Sequence, residues 1–452
     1  MHLNVLSQAV PSPLFEGLWR HPDDRSATGY RTMSHWTSVA RKLEAACVDA
    51  LFFADIHGVY DVYGGSAAAS VRHAHQVPAI DPVLLLPALA AATEQLGFAV
   101  TYSTSYHAPY QCARVFSTLD HLTDGRVGWN IVTSDLRLAA STGLGTYIPH
   151  DERYDRADEY VEVVRALWER SWDAGAVRHD AAADVFTDPA AVRAVTHQGR
   201  WFTVDAAHQC EPSPQRTPVI YQAGASDRGT TFAARHAEVV FVTLNSAKRG
   251  AETVARLRRR AEEHGRGPDA LRILQGMPVL LGRTDEEARE RAEQFTALSS
   301  PGGLLAKWCG WVGVDLAAHP DDTPIAEILT EDGRSVVGFL ASAAPDRAWT
   351  VGDVRDFIAT PRRPHRFDRL MLFGTPEQVA DRMEEYVEVA GVDGFNLFPC
   401  PPSSGIDDIC DLLVPELQRR GLFRKAYDPA ETTLRERYFG AGRRDYLGAS
   451  ER

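Results

Sequence analysis

"LGFAVTYST", residues 96–104, is apolar and β-branched almost throughout and turns polar only at its end. A run of this length between turn residues reads as a strand buried on both faces, as in parallel sheets. The turn after such a strand decides between two parallel architectures. A doubly wound sheet is expected to carry a Gly-rich dinucleotide turn after an early strand. Neither "VTYSTSY" (100–106) nor "FFADIHG" (52–58) contains GxGxxG. Outward from this stretch, comparable runs stand at 3–7, 50–55, 127–134, 218–224, 238–244, 272–282 and 394–399. Amphipathic segments alternate with them at 35–47, 82–95, 109–122, 154–171, 227–236, 248–264, 284–297 and 375–390. Eight strands alternating with eight helices predict a closed α/β barrel of the TIM (β/α)8 type.

Two stretches break the alternation. Residues 173–216 are rich in turn residues and short runs such as "GRWFTV", which predicts a hairpin-like excursion after the fourth helix. Residues 298–367 are rich in Gly, Pro and Asp, with the helix-like "TPIAEILTE" inside them. Excursions of this length in a compact barrel often serve as lids or binding loops. In "SSPGGLLAKWCGWVGVD" (299–315), Leu304, Leu305, Trp308 and Trp311 either cap a ligand or pack the insertion onto the barrel.

The composition of the 452 residues, 44% hydrophobic and 24% charged, is that of a globular enzyme. The net charge of −13 argues against nucleic acid or an anionic membrane as main partner. Cysteines 47, 112, 210, 309, 400 and 410 form no CxxC pair, which suits reduced thiols in the cytoplasm. No basic leader precedes an apolar run, and no stretch reaches the roughly 18 apolar residues of a membrane span.

In parallel barrels the active site is built at the C-terminal ends of the strands. That rule selects Asp55, Thr101 or Thr104, Asn130 with Ser134, and Ala225–Ser226, although each polar residue can also be a simple helix cap. "HDERYDRADEYVEVVRALW" (150–168) has apolar residues at Tyr154, Ala157, Val161, Val164 and Trp168, spaced by three or four, and so predicts a helix capped by Asp151. His150 before that cap and Tyr154 in the first turn either face the barrel mouth and donate hydrogen bonds to an anion, or are a surface His and a core Tyr. "QAGASDRG" (222–229) is a strand end, a glycine turn and a helix start, which is a natural phosphate seat. Arg228 there adds charge or faces solvent, and Tyr60 and Tyr63 either cover a flat ligand or pack their loop. No zinc-like spacing surrounds "HAH" (73–75), and there is no GxSxG elbow, Walker loop or NAD fingerprint.

Taken together, "GLWRHP" (17–22), "FFADIHGVYDVY" (52–63), "ARVFSTLDHLTDGRVGWNIVTS" (113–134), "HDERYDRADEYVEV" (150–163), "CEPSPQRTPVIYQAGASDRG" (210–229) and "GVDGFNLF" (391–398) span nearly the whole chain. They resemble the flavin-dependent monooxygenases of the nitrilotriacetate, dibenzothiophene-sulfone and long-chain alkane type, within the bacterial-luciferase-like barrels. The alkane branch is the closest in these blocks. It carries a Cys and a His where this chain has Val10 and Pro13, so the alkane substrate is not carried over.

The resemblance implies one luciferase-like barrel domain over residues 1–452. It implies reduced FMN (FMNH2) from a separate NAD(P)H:FMN reductase, O2 as co-substrate, and oxygenation of a small organic substrate through a 4a-(hydro)peroxyflavin. The outcome is hydroxylation, C–N or C–S cleavage, or Baeyer–Villiger insertion. Asp55, Thr101, Asn130 and Ser134 would line the flavin, His150 and Tyr154 its ribityl-phosphate side, and Ala225–Ser226 the phosphate. His57, Tyr60 and Gln76 are the candidates near the reacting end, with no metal. The resemblance also implies pairing through the helices at 35–47 and 82–95 into a homodimer or homotetramer. A deazaflavin-dependent oxidoreductase and a non-catalytic flavin-binding protein are the other readings.

Overall fold

Thr101 and Asn130 face each other across two neighbouring strands, and the register that pairs them runs on around a closed parallel barrel. The computed structural model describes residues 1–133, 142, 148–224, 226–329, 347–359 and 371–448. Its barrel strands are β1 (His2–Ser7), β2 (Ala50–Phe53), β3 (Gly97–Ser103), β4 (Val127–Val132), β5 (Val219–Gln222), β6 (Val239–Val242), β7 (Arg272–Leu281) and β8 (Gly394–Pro399). They follow the order β6-β5-β4-β3-β2-β1-β8-β7, and pairing of Val239 on β6 with Arg272 on β7 closes the ring. All eight expected strands are present. β7 is longer than its neighbours, and its end leaves β8 to pair with the short strand Leu372–Gly374.

Period-two alternation divides each strand between two cores. Phe53, Phe98, Val100, Trp129 and Ile220 face the helices, while Ala50, Phe52, Ala99, Val219 and Tyr221 fill the barrel interior. The main helices are α1 (Met33–Ala45), α2 (Leu86–Ala91), α3 (Pro109–Leu122), α4 (His150–Arg170), α5 (Asp227–His236), α6 (Ala247–Glu263), α7 (Asp285–Leu298), α8 (Pro301–Val312) and α9 (Pro376–Glu385). Capping residues fix several of their starts: Ser226, Ser246, Thr284 and Ser300 each accept a backbone N–H of the first turn.

Helix α4 departs from the expectation. It begins at His150, with extended Pro149 in the cap position, so Asp151 lies in the first turn and His150 inside the helix rather than before it. The fixed φ of proline makes Pro149 a ready entry point, and Asp151 and Glu152 then stabilise the positive end of the helix from within.

The excursion at 173–216 consists of two antiparallel ladders, Val177–Asp180 with Val185–Thr187 and Val195–Gln198 with Thr203–Ala206. Glu159 of α4 holds the second by accepting the backbone N–H groups of Trp201 and Phe202. In the 298–367 insertion, α8 packs Leu305 and Cys309 against Leu316, Ile325, Trp349, Val351 and Val354. Trp311 instead points to solvent, 55% exposed, with Lys307 Nζ 4.9 Å from its ring centroid. A stripe of small residues explains this orientation. Gly303 and Gly310 bring α8 close onto Glu16, His73 and Tyr60, and that rotation turns Trp311 outward.

Candidate functional site

The C-terminal ends of β2, β3, β4 and β5 surround a cavity of about 320 Å³. Alternation along β3 points Thr101 and Ser103 into it, and the loop after β2 adds Asp55, His57 and Tyr60. Thr101 donates to the carbonyl of Phe53 (3.0 Å) and accepts from Asn130 Nδ2 (2.9 Å). Asn130 is 4% exposed and its Oδ1 has no partner, so a buried acceptor stands beside Thr101 in the barrel interior. Such an atom costs on the order of 1–3 kcal/mol if left unsatisfied.

Burial pushes the Asp55 carboxyl up to about 6, against the downward pull of His57. The His57 ring lies 4.6 Å from that of Tyr106. Tyr60, buried, stacks on His75 at 5.3 Å with the rings 10° from parallel. His75 in turn bonds Glu16 at 2.9 Å.

Across the cavity, Tyr154 comes from the first turn of α4 and is 8% exposed. Its hydroxyl bonds the side chains of Ser226 and Gln222, and burial raises its pKa. The turn that receives it has no room for a side chain: a Cβ on Gly229 would stand 2.7 Å from the Tyr154 hydroxyl, and one on Gly224 would stand 3.0 Å away. Ser226 caps α5 by accepting from Gly229 N–H at 3.0 Å. The amides of Asp227 and Arg228 in the same turn have no intrahelical partner. Arg228, partly exposed, turns toward α4, where its Nη2 donates to Asp155 at 2.8 Å and to Asp158 as well.

Of the sequence candidates, Asp55, His57, Tyr60, Thr101 and Tyr154 line this one cavity, and Asn130 backs it through Thr101. Ser226 joins it through Tyr154. Gln76 does not line the cavity; its Oε1 is buried without a partner in the loop after β2. Ser134, Ala225 and the side chain of His150 lie outside the described residues. None of Leu304, Leu305, Trp308 and Trp311 lines the cavity. Sequence reasoning missed Ser103, Tyr106 and Gln222. Ser103 follows from Thr101 by strand period, whereas Tyr106 sits in a loop with no periodic signal.

The family described as luciferase-like monooxygenase matches residues 17–394. The chain belongs to that family. The dimethyl-sulfide monooxygenase of Hyphomicrobium sulfonivorans is 41% identical over 440 residues, 97% of this chain and 90% of that protein. The crystal structure of a long-chain alkane monooxygenase superposes with a TM-score of 0.89 at 41% identity, covering 98% of this chain and 96% of the other. A riboflavin lyase with modified FMN and substrate riboflavin superposes with a TM-score of 0.88 at 32% identity, covering 98% and 97%. This luciferase-like monooxygenase has no described helix long and apolar enough to cross a membrane. Among its described residues no group of three or more His, Cys, Asp or Glu is placed to hold a metal ion.

Proposed function

We propose that this monooxygenase binds reduced FMN delivered by a separate reductase and uses O2 to oxygenate a small organic molecule. The observation that carries the reading is the junction of Tyr154 with the Ser226–Gly229 turn. A helix N-terminus, two hydroxyls and a cradle without side chains meet at one end of a cavity whose far wall holds Asp55, His57 and Tyr60. These residues fit the phosphate through hydroxyl and backbone donors. The unpartnered Asn130 Oδ1 fits a ring N–H donor. Bound reduced FMN supplies the electrons that activate O2.

The remaining work belongs to the chain. Asp55, poised near 6, can hold or release a proton at its carboxyl, and Tyr60 and Tyr106 exclude water from the far wall. No Lys or Arg is among the described lining residues, and Ile131, Val132 and Phe232 are, which supports an uncharged, mainly apolar or aromatic substrate. The named sulfide and alkane monooxygenases among the relatives support the same class. The reductase is a separate protein on this reading, since the chain has no nucleotide fingerprint. Pairing through α1 and α2 gives a homodimer or homotetramer, to be checked by light scattering.

The test is titration with FMN and FMNH2, followed by O2 and a substrate panel. FMNH2 is expected to bind more tightly than FMN and to yield product at the expense of hydrogen peroxide. Ser226→Asp retains a capping residue but sets a negative charge against the phosphate, so FMN affinity is expected to fall more than tenfold. A parent protein that binds neither form of FMN, or that prefers a deazaflavin, overturns the reading.

A further inference from the structure

Arg228 stands in the first turn of α5 beside the proposed phosphate seat, and its Nη2 is held by two carboxylates of α4. The guanidinium lies 5.6 Å from the centroid of the Tyr154 ring and is shared by Asp155 and Asp158 of α4. Asp158 has two further partners on α5: it accepts from His236 Nε2 at 2.6 Å, and Arg235 Nη1 stands 3.6 Å from the same oxygen. Arg228 stands in the first turn of α5 and His236 is its last residue. Eight residues of helix separate them, a rise of about 12 Å. One carboxylate therefore grips both ends of α5 and fixes its position and its tilt. The tautomer is set by the same contacts. An ionised Asp158 needs a donor, so Nε2 carries the proton and Nδ1, buried and unpartnered, is the bare acceptor.

This geometry matters because the partner of α5 is the helix that carries Tyr154. Asp158 lies one turn beyond Tyr154 on α4, and the Tyr154 hydroxyl reaches the Ser226–Gly229 turn at the start of α5. A small change in the α4–α5 angle would separate the hydroxyl from the turn. Charge-assisted hydrogen bonds from two elements are a strong and directional way to prevent that.

We propose that Asp158 is a positioning residue for the phosphate seat and that Arg228 is a latch between α4 and α5, not a phosphate ligand. The proposal rests on the reading of FMN as the cofactor.

Its test uses the sign of an electrostatic effect. Removing a carboxylate near a bound phosphate should strengthen anion binding if charge is all that matters. On the latch reading, Asp158→Asn weakens FMN binding about tenfold although a repelling charge is gone. Riboflavin, which has the same ring and ribityl chain without the phosphate, keeps its affinity within about twofold and so reports an intact fold. Asp155→Asn removes the same charge but leaves the grip on both ends of α5, and FMN affinity is unchanged or slightly tighter. Asp158→Glu keeps the charge and moves the carboxylate, and it too loses FMN affinity; this variant carries the test if Asp158→Asn does not fold. Because Asp158 acts through Tyr154, adding Asp158→Asn to Tyr154→Phe gives little further loss. The proposal is overturned if Asp158→Asn or Asp158→Glu binds FMN as tightly as the parent, or if the losses of Asp158→Asn and Tyr154→Phe add. Failure of the parent to bind FMN defeats the cofactor reading instead, and is told apart by that measurement alone.

Discussion

Asp55 is held at the end of β2 in surroundings that disfavour its charge, and burial raises its carboxyl to about 6. An unfolded Asp ionises near 4, so between roughly 4 and 6 the native state holds more protons than the unfolded one. The stability that Asp55 permits is present at low pH and lost as pH rises through 6. Asp55→Asn is therefore expected to melt later than the parent at pH 7.5, by on the order of 1–2 kcal/mol after allowance for solvent screening. The gap closes by pH 4, and an equal gap at both pH values would show that Asp55 is not perturbed. Functional residues held at a cost to stability are a common feature of active sites. Residues at this scale were legible where strand ends mark them: Asp55 and Thr101 follow from the rule for barrel mouths, and both line the cavity. Gln222 was not legible, because its role comes from a bond to Tyr154 on a helix some 70 positions away. Arg228 reads as free charge or surface for the same reason, since its partners Asp155 and Asp158 belong to another element.

At the scale of elements, α8 shows how periodicity can leave an orientation open. Two apolar stripes run along it, one through Leu305, Cys309 and Val312 and one through Leu304, Trp308 and Trp311. Sequence period does not say which stripe turns inward. Close approach does: Gly303 lets the helix reach Glu16 and Gly310 lets it reach Tyr60, which buries the first stripe. Leu305→Ala is accordingly expected to cost about 2–5 kcal/mol in denaturant unfolding. Trp311→Ala removes only an exposed cation–π contact with Lys307, worth about 0.5–1 kcal/mol. The reverse ranking would place Trp311, not Leu305, in the packing of the insertion. Strand boundaries, by contrast, were readable to within one or two residues, because turn residues punctuate both ends of each apolar run. The start of α4 lies two residues before its expected place, since an aspartate signal and a proline signal compete within three residues.

For the whole molecule, the ends of the chain decide how the barrel is finished, and this was not legible as a pattern. The segment 423–448 crosses beneath the strands, and Leu434 and Tyr438 join the interior core from below. Tyr438 donates to Asn4 at 2.7 Å, and Arg435 bonds Glu238 at 2.7 Å with both side chains 0% exposed. Acid should loosen the packing around the barrel. Burial lowers His208 and His236 to about 4, so each stays neutral in the native state while its unfolded form takes up a proton below about 6.5. Their contribution is present at neutral pH and lost as pH falls from 6.5 toward 4, which thermal melts across that window would read as a steady decline; a flat profile would contradict it. The floor is tested by Arg435. Replacing it with Met leaves Glu238 as a buried charge without its cation, and breaking such a pair costs about 3–5 kcal/mol. Pairing Arg435→Met with Glu238→Gln removes the stranded charge, and since Glu238 also accepts from the backbone of Ile220 and Leu447, the amide keeps part of that bonding. The double variant is expected to recover a measurable part of the loss in denaturant unfolding. A cost below about 1 kcal/mol for Arg435→Met, against the scale of broken buried pairs, would mean that the terminal segment rests against the barrel without holding it.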